Sequence, residues 1–145
     1  MSHTINRYIL NEGSHYATIQ WYLESDGVAG ELKNYKILDV VNDFLIPVSP
    51  QYNSEGQQLA PKITLRKVWF STAWFDMILG FESTSPKNYI TLARDADFAM
   101  DFTTFGGIKD RTPYGDNPTG NLILSTRDFA PAGTSGFMVL ELRKD

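Results

Sequence analysis

The chain has 145 residues, 42% hydrophobic and 21% charged, with a formal net charge of −4 and no cysteine. That length is one domain, large enough to fold without a disulfide or a structural metal. The acidic balance gives no support to a nucleic-acid face, and the lack of cysteine removes disulfides, thiolate metal sites and thiol nucleophiles together.

No apolar stretch reaches the ~18 residues that a membrane helix needs. The start "MSHTINRYIL" lacks the basic lead and long apolar run of a signal peptide. The expectation is a soluble protein made in a cytoplasm, with neither a membrane nor a nucleic acid as partner.

Taken in chain order, the pattern has period two almost everywhere. In "HYATIQWYLES", Ala17, Ile19, Trp21 and Leu23 alternate with Tyr16, Thr18, Gln20, Tyr22 and Glu24. One apolar face and one polar or amphipathic face is what a half-buried strand requires. Asp26-Gly27 signals a turn, and "ELKNYKILDV" reads as a return strand. Val40 to Phe44 forms a short helical turn. Residues 45–61 hold Pro47, Pro50, Gly56 and Pro61 and read as a long surface loop, because each proline removes a donor and fixes φ.

"KITLRKVWFSTAW" breaks phase. Ile63 and Leu65 share one parity, Val68 and Phe70 the other, so a bulge near Arg66-Lys67 is predicted; a strand buried on both sides is the alternative. In "WFDMILGFES", Phe75, Met77, Leu79 and Phe81 share a face, opposite Trp74, Asp76, Ile78 and Gly80. "STSPK" turns into "NYITLAR", with Ile90 and Leu92 inward. "DADFAMDFTTF" sets Phe98, Met100 and Phe102 against Ala99 and Asp101. A second long loop fills 104–121. "NLILST" is a strand, "RDFAPAGTSG" a turn region, and "FMVLELRKD" a last strand with Met138, Leu140 and Leu142 inward.

About eight short strands with regular turns give an all-β fold in a single domain, 1–145. The architecture expected is an antiparallel β-sandwich of jelly-roll type, with a small β-barrel as the alternative.

Chemistry-bearing motifs are few. Gly106-Gly107 opens no helix, so the phosphate-loop pattern is not met. Asp110, Asp116 and Asn117 lack the ladder of a calcium loop, and Asp116-Asn117-Pro118 reads as a turn. Asp95, Asp97 and Asp101 share parity. Two carboxyls ~5–10 Å apart would suit glycoside hydrolysis, but a solvated strand face explains them as well. His3 and His15 have no zinc-like spacing, and no Gly-x-Ser-x-Gly occurs. No catalytic residue, metal or cofactor is assigned.

Trp69, Phe70, Trp74 and Phe75 occupy both faces of their strands, as do Phe137 to Leu140. Such residues fill a core, build an interface for another protein, or make a platform for sugars.

"FTTFGGIKDR", "TGNLILSTRDF" and "GFMVLELRKD", with "RYILNEGSHYATIQWYLESDGVAGELKNYKILD" near the start, resemble small head proteins of tailed bacteriophages that decorate or cement the capsid. The likeness is one of cadence over roughly half the chain. It implies a non-enzymatic β-rich virion protein on the outer capsid surface. Such a protein is a homotrimer that binds major capsid subunits where they meet. A carbohydrate-binding jelly-roll module is the alternative function. The partner-contact residues expected are Tyr52, Phe105, Arg111, Tyr114, Trp74 and Phe137, since aromatic and Arg side chains dominate binding hot spots.

Overall fold

The computed structural model describes residues 3–94, 97–129 and 131–145. Its strands are β1 (Thr4–Glu12), β2 (Tyr16–Glu24), β3 (Tyr35–Leu38), β4 (Gln51–Tyr52), β5 (Gln58–Leu59), β6 (Ile63–Thr72), β7 (Asp76–Phe81), β8 (Lys87–Leu92), β9 (Asp97–Asp101), β10 (Ile108–Lys109), β11 (Leu122–Arg127) and β12 (Ser135–Lys144). Among the described residues the only helical pieces are 3-10 turns at Thr103–Phe105 and Tyr114–Asp116, and no helix is long and apolar enough to cross a membrane.

Two antiparallel sheets form a sandwich. One runs β1-β2-β12-β6, with the far edge of β6 shared by β9 and β10; the other runs β3-β11-β7-β8. Setting aside β1, the β4–β5 hairpin and β10, the sheet orders 2-12-6-9 and 3-11-7-8 are those of a jelly roll. Among the described residues the sheets keep free edges and do not close into a barrel.

Alternation places the core. Ala17, Ile19, Trp21 and Leu23 of β2, Met138, Leu140 and Leu142 of β12, and Met77, Leu79 and Phe81 of β7 are all buried. A one-residue slip would turn any of these sets to solvent, so burial fixes register. The predicted bulge is present: Glu141 pairs with Lys67 and Leu142 with Leu65, leaving Arg66 unpaired. Ile63 and Leu65 therefore join Val68 and Phe70 inside.

Three expectations change. Tyr35–Leu38 is no return strand to β2; it crosses to the other sheet and pairs with β11. The connection 25–34 spans the two layers, because β2 already has partners on both edges in β1 and β12. The 45–61 segment is not all loop, since Gln51 pairs with Leu59 and Tyr52 with Gln58 around Gly56. The strands outnumber eight because short edge pieces pair too. The readings of Asp95, and of the side chains of Asp97 and Phe98, fall outside the described residues. Elsewhere, the helical turn at 40–44 appears as the Asp43 N–H bond to the Asp39 carbonyl, 2.8 Å.

Candidate functional site

Strand register assembles an aromatic surface on the outside of the larger sheet. Tyr8 lies opposite Gln20, Gln20 opposite Val139, and Val139 opposite Trp69. The adjacent row runs Asn6, Tyr22, Phe137 and Ser71. These positions have the parity opposite to the core, so the sheet face itself is apolar at its centre. Tyr8 is 54% exposed, Trp69 39% and Phe137 40%. Tyr22 and Phe137 are directly opposed, ~5 Å apart, and Tyr8 and Trp69 lie on the diagonals to them, so the rings follow one another across the face around Gln20 and Val139.

The same face turns ionic toward the start of β6. The bulged Arg66 lies 4.8 Å over the Tyr16 ring and 3.3 Å from Glu141. Lys67 faces Asp101 across β9. The Asp101 carboxyl is held below its ordinary value by the Thr103 hydroxyl and amide, helped by Lys67 and Arg66.

The two long segments meet at one end of the sandwich. A hollow of about 330 Å³ separates the β4–β5 hairpin from the 110–121 segment, with Leu59, Lys62, Thr112 and Tyr114 in its walls. Tyr52, Tyr114 and Arg111 are exposed around this end. The 104–121 segment is tightly held. Asp110 Oδ1 accepts from the Thr112 amide (2.9 Å) and hydroxyl (2.6 Å), and the Arg111 amide donates to the Tyr89 hydroxyl at 3.1 Å. Gly120, at φ +81°, packs on the Pro61 carbonyl where a Cβ has no room. Asp116 closes a 3-10 turn capped by left-handed Asn117, the turn expected for these residues. Among the described residues no group of three or more His, Asp or Glu is placed to hold a metal.

The six expected contact residues thus occupy three places. Tyr52, Arg111 and Tyr114 share the loop end. Phe105 packs at a tilt against Phe102, 6.0 Å between centroids, beside the β6 bulge. Phe137 is on the sheet face. Trp74 is at the opposite end, just past β6, and is 73% exposed. It borders a hollow of about 260 Å³ lined by Pro131, Ala132, Gly133, Thr134 and Ser135.

Trp74 is also strained, with φ +75°. A bulky residue there is a steric outlier, and such strain persists only when its surroundings impose it. Here both flanks are fixed. The Ala73 amide donates to the Ser135 carbonyl at 3.3 Å, and Phe75 is buried against Phe129 at 4.5 Å. The chain crosses between sheets in that short span, which throws the indole outward.

Two ionic clusters, each built on a buried carboxylate, went unread in the sequence. Asp76 is 4% exposed and accepts from the Arg94 amide (2.7 Å), Arg94 Nη2 (3.0 Å) and Arg127 Nε (2.7 Å). Arg94 chiefly, then Arg127, holds the Asp76 carboxyl far below its ordinary value, against the opposing effect of burial. At the other end Lys144 Nζ donates to Glu12 Oε2 (2.8 Å), the Gly13 carbonyl (2.9 Å) and the Ile46 carbonyl (2.8 Å). Burial alone would raise the Glu12 carboxyl. Hydrogen bonds from Lys144 and the Ile46 and Leu45 amides outweigh it and lower the value.

No protein-family model, no curated protein and no solved structure matches this chain.

Proposed function

We propose that this protein is a virion structural protein that decorates a phage head, adhering to major capsid subunits and to other copies of itself. The aromatic face of the six-stranded sheet is the observation that carries the reading. A face that needed only water would be polar, whereas Tyr8, Trp69 and Phe137 leave large rings in solvent around Val139. Interface centres are enriched in such residues, with charged groups toward the rim. Arg66, Lys67, Asp101 and Glu141 supply that rim. The jelly-roll scaffold holds the face rigid, so little ordering opposes docking. The resemblance to head decoration proteins points the same way.

Co-sedimentation tests the reading, using shells assembled from major capsid protein alone. The wild-type chain pellets with shells at saturating stoichiometry. The double variant Trp69→Glu, Phe137→Glu loses roughly tenfold or more in affinity. A wild-type chain that stays in the supernatant, or a double variant that binds equally, contradicts it.

Glycan binding is the second reading, favoured by Trp74 beside a hollow edged by Thr134 and Ser135. A sugar stacked on that indole quenches its fluorescence, and a glycan array without hits disposes of the idea.

A further inference from the structure

The geometry points to the hollow at the loop end as a binding site for a sugar ring that carries a carboxylate, a unit of the uronic or sialic acid kind. This site is remote from the Trp74 hollow and from the aromatic sheet face, so it stands independently of shell adhesion.

Its shape suits a small ring. The space is about 330 Å³, at the small end of ligand pockets. Leu59 and Pro118 give it apolar walls. Tyr114 lines it while staying 55% exposed, which leaves ring area for a ligand. An exposed aromatic ring offers its face to the C–H side of a sugar. Two amides stand ready for hydroxyls. Among the described residues the Gln58 side chain bonds to nothing within the chain, and Asn117 spends only Nδ2, on the Thr84 hydroxyl at 3.3 Å.

Charge selects the ligand further. Lys62 is the only charged residue in the wall. It is half-buried and, among the described residues, makes no ion pair. The acids bonded around this end are already matched. Glu82 accepts from the Thr119 hydroxyl (2.9 Å) and the Asn121 amide group (3.1 Å), and Asp145 from the Thr64 hydroxyl (2.6 Å) and Arg143 (2.9 Å). In a chain of net charge −4, a hollow with one unmatched cation and no acid in its wall favours an anion. The carboxylate takes a charge-assisted hydrogen bond from the Lys62 ammonium while the ring lies on Tyr114. Both walls are anchored beforehand. The Thr84 amide donates to the Asp116 carbonyl at 2.8 Å, and the Asp145 amide to the Lys62 carbonyl at 3.0 Å. Little ordering therefore opposes binding.

Titration of the full chain with methyl glucuronide, followed by amide NMR, tests this. The Thr112, Tyr114 and Asn117 signals move with a Kd on the order of 1 mM. Methyl glucoside, the same ring without the carboxylate, binds roughly fivefold more weakly. Lys62→Gln removes that preference while the core signals stay in place, so the change reads the charge and not the fold. Tyr114→Ala weakens both sugars roughly tenfold. Trp74→Gly weakens neither, which separates this site from the hollow at the other end. N-acetylglutamate amide, a carboxylate on a peptide, binds more weakly than the glucuronide. No movement of these signals up to about 50 mM, equal binding of the two sugars, a preference that survives Lys62→Gln, a loss in Trp74→Gly, or a peptide carboxylate that binds as tightly overturns the inference. None of these results bears on shell binding through Trp69 and Phe137.

Discussion

Single side chains here carry opposite kinds of tension. Lys144 and Glu12 are both almost wholly buried, 1% and 3% exposed, and every donor and acceptor named for them is matched. Removing one partner strands the other's charge in a dry site. Lys144→Met therefore destabilises by about 3–5 kcal/mol in urea unfolding, whereas Lys144→Met with Glu12→Leu recovers most of it. Asp76 predicts an acid limb. Its carboxyl is lowered from 3.8 in the folded chain, so its contribution is complete above that value and drains away as pH falls toward the folded one. Asp76→Asn lowers stability at neutral pH and flattens the decline below about pH 4 in acid titrations. Trp74 is the converse case, a strained residue displaying its ring. Trp74→Gly relieves the backbone, so it exceeds Trp74→Ala in stability by about 1 kcal/mol, measured in the same unfolding series.

Strands were the most legible level. Period-two alternation located β2, β7 and β12, because one buried face imposes it, whereas β11 was read as a strand although Leu122, Ile123 and Leu124 are all buried. The phase break in "ITLRKVWF" marked the β6 bulge for the same reason: Leu65 and Val68 must both face inward, and only an extra residue between them allows it. Deleting Arg66 joins Leu65 to Lys67 and restores plain alternation. That deletion folds, within about 2 kcal/mol of wild type after losing the Tyr16 and Glu141 contacts. Deleting Val139, in the unbulged part of β12, flips half a strand and abolishes the cooperative unfolding transition. Pairing was less legible than existence. Nothing local in "YKIL" says that it joins β11 and not β2, and the Asp26-Gly27 signal looks the same before a hairpin and before a crossing. The ionic clusters were hidden by distance along the chain. Asp76 meets Arg127 51 positions away, and Glu12 meets Lys144 132 positions away. The exposed aromatics were half legible: parity separated Trp69 from Phe70, but only the register of four strands set Tyr8, Val139 and Trp69 in one row beside Tyr22 and Phe137.

At the scale of the molecule, the two faces of the larger sheet do different work. The inner face packs on β3, β7, β8 and β11 and holds the sandwich together. The outer face offers rings, a charged rim and, at β1, a free edge. The loop end carries Tyr52, Arg111 and Tyr114 apart from that face, so the six expected contact residues do not form one site. An adhesive protein of this design should lose binding through face substitutions without losing fold, and its rim charges should make association faster at low salt than at high. Electron microscopy of purified particles decides the matter. The account predicts density for this chain at regular lattice positions, with Trp69 and Phe137 turned into a protein contact. Particles bearing the chain with that sheet face open to solvent, or bearing no such density, contradict it.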